Sequence, residues 1–325
     1  MPRLAIVISA VGSIESLEST LVSVLENRPA DCEIVVALRQ PYADPYDLKD
    51  EVRFLTPGRR TTAVAALNEA LATTRAPFVH VLASGCTVNE GWTESALSRF
   101  GDRRVAAVVP WVSDAAHPGH LFAAGIGYRR RGQRYRIGEG AQIADFEAPA
   151  SVIGPGLFAA FYRKAALDLA GGFSRQLGPR QADADLALVF KHAGLTIAVE
   201  PRSQISATTE ADPTDGSLRE ALAEERLFWR NLLGGSNVRS ILAHLGLASW
   251  DVFRAMPRPQ ALARFAGRFW AMLELGGHAR HRSRLAALSL RAVPPQAGQH
   301  VRIDNSHERP VPRELDRSRV STRSL

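Results

Sequence analysis

The chain has 325 residues, 46% of them hydrophobic and 22% charged, enough for one large domain or two small ones with a substantial core. No run of about 18 apolar residues free of charge occurs, which argues against a membrane-spanning helix. Only two cysteines are present, Cys32 and Cys86, with no CxxC spacing; this excludes a disulfide framework and a cysteine metal site, and points to reduced thiols in the cytoplasm.

The charge is unevenly placed. Residues 1–215 carry 22 Lys and Arg against 24 Asp and Glu, whereas residues 216–325 carry 18 against 9. Any partner argument from the net charge of +7 therefore concerns the last third of the chain. The apolar N-terminal stretch meets acids at once and lacks a cleavage site, so it reads as a first strand and not a signal peptide.

In chain order, Leu4–Ala10 is a strand rich in Ile and Val. Ser13 can cap a helix with Leu17, Leu21, Val24 and Leu25 at helical spacing. Strands follow at Glu33–Leu38 and Val52–Leu55, an Ala-rich helix at Thr62–Thr74, a strand at Phe78–Leu82, a helix from Trp92 to Phe100 and a strand at Val105–Val109. Fully apolar strands alternating with helices predict an α/β protein with a parallel sheet covered on both faces. Such sheets bind ligands beyond the carboxyl ends of their strands, here the loops Ser9–Ser13, Ala37–Pro41 and Ala83–Glu90 and the segment Ala182–Leu186. From Ser217 onward helices dominate, at Arg219–Leu233, Val238–Leu247, Ser249–Met256 and Pro259–Leu275. Beyond Ala292 the composition of Pro, Arg, Ser and Asp predicts a disordered tail. The domains expected are 1–215, a helical extension 216–291 and the basic tail 292–325.

Two segments resemble family-2 glycosyltransferases of the GT-A fold. Gly171–Pro201 (GGFSRQLGPRQADADLALVFKHAGLTIAVEP) is similar to the family's Gly-Gly-Phe, acidic block and helix ending in Ala-Gly before a strand. Leu67–Leu97 resembles its Asn-containing helix, the next strand and the Gly-Trp opening another helix, and Arg230–Asn231 also looks family-like. The resemblance covers about residues 3–210. It implies a nucleotide-sugar-binding sandwich, a mostly parallel sheet between helices, with a C-terminal helical extension. The implied activity is transfer of a sugar from a nucleotide-diphosphate donor to a saccharide or lipid-linked acceptor.

That chemistry has two demands. The leaving diphosphate needs a divalent cation or positive side chains, and the acceptor hydroxyl needs a base. The family holds its Mg²⁺ or Mn²⁺ with an aspartate loop after the fourth strand, but aligning Gly91–Trp92 puts Gly85 there, with Ser84 before it and the soft ligand Cys86 after it. Ala37 and Ala207 stand where the resemblance implies a nucleotide-binding Asp and a metal-binding His. The metal site thus reads as lost, with no cofactor beyond the donor. The acidic pair keeps Asp183 and Asp185, with Ala182 in place of the leading Glu. Asp183 is the implied catalytic base and Asp185 lies on the acceptor side; alternatively both acids cap a helix Leu186–His192.

The resemblance implies donor-side roles for Asn68, Ser84 and Gly85, and Arg59 and Arg60 would suit a diphosphate without metal; alternatively Asn68 is a plain exposed helix residue and the two arginines a solvated loop pair. Gly154 and Gly156, in a Gly-Pro-Gly turn, would let an acceptor sugar approach the backbone, or serve only as a turn. His117 and His120 are too few for a metal. Arg129, Arg130, Arg131, Arg134 and Arg136, interleaved with Tyr128 and Tyr135, read as a solvated hairpin. The amphipathic stretch Asp251–Arg268 suits a membrane surface at the inner face of the cell membrane, or packing on the catalytic domain. No nucleic-acid module is recognised, so nucleic acid is not an expected partner. The alternative to an enzyme is an inactive transferase-fold protein that binds or scaffolds.

Overall fold

A computed structural model describes residues 1–56, 61–129, 133–147, 152–212 and 218–231, together with Ile241, Leu242, His244, Gly246, Trp270, His281 and Ser283. Met1–Ala292 form one compact unit and Val293–Leu325 a second; every described residue belongs to the first. Arg59, Arg60, Arg130, Arg131, the helix expected over Ser249–Met256 and the tail lie outside the described residues. The helices expected over Val238–Leu247 and Pro259–Leu275 are described only at Ile241, Leu242, His244, Gly246 and Trp270.

Four strands form a parallel group: β1 (Leu4–Ser9), β2 (Cys32–Ala37), β3 (Val52–Leu55) and β4 (Phe78–Ala83), in the spatial order β3-β2-β1-β4. All six residues of β1 are buried, so both faces of the sheet are covered at its centre. Ser9 faces Ala37 and Ala83 across the ladder, and Ala37 faces Leu55. The four carboxyl ends therefore lie along one edge, which is where the site is built.

The sheet continues through β10 (Ala159–Arg163), antiparallel to β4 and to β6 (Val105–Asp114). Next comes β11 (Thr196–Ala207), parallel to β6, and then β5 (Cys86–Val88), antiparallel to β11. A short strand β7 (Leu121–Ala123) pairs with β6. Six strands thus run one way and β5, β7 and β10 the other. A separate ribbon joins β8 (Ile126–Tyr128) to β9 (Arg134–Arg136).

The helices are α1 (Ile14–Glu26), α2 (Ala63–Thr73), α3 (Glu94–Arg99), α4 (Lys164–Ala170), α5 (Pro179–His192) and α6 (Leu218–Asn231). Local chemistry sets their starts. Ser13 Oγ accepts the Ser16 N–H to cap α1, and Thr62 Oγ1 accepts the Ala65 N–H to cap α2. Among the described residues no helix is long and apolar enough to cross a membrane.

Three expectations need correction. The fifth strand does not stop at Val109; β6 runs on through Pro110 to Asp114, because a bulge in β11 between Glu200 and Gln204 takes up the missing donor. The helix carrying the acidic pair starts at Pro179, not Leu186, since proline is preset for the first helical position and Gly178 takes the cap. Asp183 and Asp185 therefore sit inside α5 and cap nothing. Finally, Arg134 does not belong to a solvated face: its side chain is 3% exposed.

Candidate functional site

A hollow of about 370 Å³, open to solvent, lies on the carboxyl edge. Its walls are the loop after β1, with Gly12 and Ser13, and the loop after β2, with Arg39, Gln40 and Tyr42; Thr61, just before α2, completes it. Tyr42 is fixed, with its ring 5.3 Å from that of Phe54 and its hydroxyl donating to Glu18 Oε1 at 3.1 Å. Burial and that bond push its phenol up to about 12. A second, largely apolar crevice of only about 20 Å³ lies over Ser9 and Ala83, bounded by Leu67 of α2, Leu157, Pro179 and Asp212.

The loop joining β4 to β5 is committed to holding the backbone. Ser84 Oγ accepts the N–H groups of Val11 at 3.0 Å and Gly12 at 2.8 Å. The Gly85 N–H donates to Thr20 Oγ1 at 3.0 Å, and its carbonyl accepts from the Thr208 N–H at 2.9 Å. Gly85 has a φ of +89°, and a Cβ there would lie 2.6 Å from Thr208 Oγ1, so an aspartate would be both strained and obstructed. The Cys86 thiol is buried, bonded to the Phe158 carbonyl at 3.1 Å and pushed up to about 12 by that burial. None of these side chains is a hard oxygen ligand with a free lone-pair set, so the loop does not fit Mg²⁺ or Mn²⁺.

Two acids stand near this loop, and both are engaged. Glu210 follows β11 and accepts from the Ser13 N–H at 3.0 Å, from Ser13 Oγ at 3.0 Å and from Ser16 Oγ. These bonds, the backbone one foremost, hold its carboxyl below the usual range. Asp212 accepts from Arg134 Nη1 at 3.0 Å and pairs with Arg180 at 3.4 Å.

Asp183 lies on α5, 1% exposed. Arg134 grips both of its oxygens, Nη2 at 2.7 Å and Nε at 3.1 Å, and the Leu157 N–H donates at 3.2 Å. Burial pushes the Asp183 carboxyl up to about 6 against the pull of Arg134, so it is ionised at pH 7. The guanidinium, flanked by two carboxylates, binds its own proton more tightly than usual despite its burial. Asp185 belongs to a second buried cluster. Arg230 Nε reaches it at 3.0 Å and Asn231 Nδ2 donates at 2.9 Å, while burial still raises its carboxyl. The family-like Arg230–Asn231 pair therefore ties α6 to α5.

Asn68 spends its amide on the Phe173 backbone, accepting its N–H at 2.9 Å and donating to its carbonyl at 2.8 Å, and so fixes the Gly-Gly-Phe turn. At Gly154 a Cβ would meet Ala187 Cβ of α5 at 2.6 Å, and at Gly156 it would collide with the Phe158 ring; both positions need a small residue for packing. His117 bonds Asp114 at 3.0 Å on an exposed turn, and no group of three metal-binding side chains occurs among the described residues. Sequence reasoning missed Arg134, Asp212, Glu210 and Arg39. For Arg134 a signal existed: it alternates with Tyr135 in a short strand, so one side of that strand could face inward. The acids after β11 gave none.

No protein-family model and no curated protein matches the sequence. Solved structures do define the class: the chain has the GT-A-type fold of glycosyltransferases. It is similar to GalNAc-T7, solved with UDP, GalNAc and Mn²⁺, at a TM-score of 0.56 and 12% identity, over 88% of this chain and 58% of that one. It is likewise similar to the mannosyltransferase PcManGT of Pyrobaculum calidifontis, solved with GDP-Man and Mn²⁺, at a TM-score of 0.51 and 16% identity, over 90% and 86% of the two chains. For residues 1–349 of S. aureus TarS the TM-score is 0.52 and the identity 12%, over 89% and 90%. The chain spans less than two thirds of GalNAc-T7, and at these identities the likeness concerns the fold.

Proposed function

We propose that this protein transfers a hexosyl group from a nucleotide-diphosphate sugar to a saccharide or lipid-linked acceptor without a divalent cation. The observation that supports this reading is the hollow of about 370 Å³ on the carboxyl edge of a GT-A-type sheet, a place suited to a nucleotide. Gly85 and its crowded surroundings support a reading without the metal. Asp183 is the base: once Arg134 releases one of its oxygens, the carboxylate takes the acceptor hydroxyl proton as the acceptor oxygen attacks the anomeric carbon. The nucleoside diphosphate then leaves with the bonding electrons. A carboxyl near 6 is ionised at neutral pH and still basic enough for the task. Arg59 and Arg60 are assigned to the donor side. Residues 1–215 form the transferase domain, and the basic segment 216–291 meets the inner face of the cell membrane from the cytoplasm.

One observation favours a second reading, a transferase fold that binds without catalysing: both oxygens of Asp183 are held by Arg134 and shielded from solvent. Turnover of UDP-, GDP- and dTDP-sugars in EDTA separates the two. The enzyme reading predicts donor cleavage that persists in EDTA and is lost in Asp183→Asn while nucleotide binding survives. No cleavage of any donor, with nucleotide still bound, gives the second reading.

A further inference from the structure

The lining of the hollow on the carboxyl edge suits a flat, uncharged ring better than a phosphate. Its backbone donors at the start of α1 are already used, the N–H groups of Val11 and Gly12 by Ser84 Oγ and that of Ser13 by Glu210. Ile14, Leu17, Leu38 and Pro41 give it apolar walls, against which a charged group would lose hydration without return. Tyr42 adds an aromatic ring, held in place by Phe54 and by its bond to Glu18, on which a nucleobase can stack. Two long polar side chains complete the lining, Arg39 and Gln40, consecutive in the loop after β2 and both exposed. The described lining residues include no carboxylate.

Arg39 therefore decides which nucleobase fits. Its guanidinium only donates, and its planar fork needs two acceptors side by side on a ring edge. Guanine has them in O6 and N7. Adenine sets an amino donor beside N7, and uracil and thymine separate their two carbonyls by the N3–H. Cytosine has an acceptor pair but a single ring, which covers less of the apolar wall. The Gln40 amide oxygen can accept from the N1–H and amino group that guanine carries beyond O6. Resting on the nucleotide-binding reading, we propose that the nucleobase read by this hollow is guanine, and that Arg39 selects it by donating to O6 and N7. The ligand class is a guanosine diphosphate sugar.

The test is calorimetric titration of wild type and Arg39→Ala, in EDTA, with GDP, CDP, ADP, UDP and dTDP. A further ligand is 7-deaza-GDP, in which a carbon replaces N7 and every phosphate contact is kept. Wild type should bind GDP about tenfold more tightly than the other four diphosphates, and 7-deaza-GDP about fivefold more weakly than GDP. Arg39→Ala should bind GDP and 7-deaza-GDP alike, because the donor to N7 is gone. Binding of another base as tightly as guanine, or equal binding of GDP and 7-deaza-GDP by wild type, overturns this inference and leaves the nucleotide reading standing. A preference for N7 that survives in Arg39→Ala does the same. Failure of wild type to bind any of the diphosphates removes both.

Discussion

His80 occupies the middle of β4, fully buried, its ring 3.8 Å from Phe161 and 4.7 Å from Trp92. Neither ring nitrogen reaches a hydrogen-bond partner among the described residues. Burial holds its pKa well below the ordinary 6.5, against the nearby Ala160 backbone, because a charge there could not be hydrated. Below pH 6.5 the unfolded chain therefore binds a proton at this residue that the folded chain refuses. The histidine's contribution is full above 6.5 and declines by about 1.4 kcal/mol per pH unit beneath it. Asp183 has the opposite sign: its folded pKa, about 6, exceeds the ordinary 3.8, so its protonated form favours the fold and that contribution is lost as pH rises from 3.8 to 6. The two contributions have opposite signs below pH 6. Denaturant unfolding of His80→Leu against wild type isolates the first: the stability difference should grow in favour of the variant with each pH unit below 6.5. A difference independent of pH would show that the imidazole is not kept neutral by the fold.

At the scale of elements, Arg134 is the joint between pieces far apart in sequence. From β9 it binds Asp183 on α5 and Asp212 after β11, while Arg180 on α5 extends the chain of charges from Asp212 to Glu220 on α6. Removing the guanidinium leaves Asp183 buried without its counter-charge and Asp212 with Arg180 alone, a loss of about 3–5 kcal/mol. We expect Arg134→Met to lower stability by that amount and Arg134→Met with Asp183→Asn to recover part of it, read from chemical unfolding. A double variant no more stable than the single would mean that Asp183 is not held by Arg134. The strands of the parallel group were legible because their apolar runs need cover on both faces, α1 because Ser13 announces its cap, and α2 because its run is rich in alanine. The Gly-Gly-Phe and acidic block pointed to the fold without revealing what the residues bind. Asn68 and Asp183 lie near the backbone they serve only after chain segments 105 and 26 residues apart come together. The short strands β7, β8 and β9 carried too little periodicity to read. The start of α5 was misplaced because the resemblance drew attention to its acids, whereas Pro179 sets the first turn.

On the scale of the whole molecule, a sheet of the GT-A type presents an open hollow on its carboxyl edge, and the loop after β4 is occupied by the contacts of Ser84, Gly85 and Thr208. Nucleotide recognition by this protein is proposed to be independent of divalent metal. The measurement that tests it most directly is calorimetric titration of the wild-type protein with UDP, GDP and dTDP, once in EDTA and once with Mn²⁺. The account predicts that one of these diphosphates binds with the same affinity under both conditions. Binding that appears only with Mn²⁺, or is strengthened tenfold or more by it, would contradict the account and restore a metal to the site.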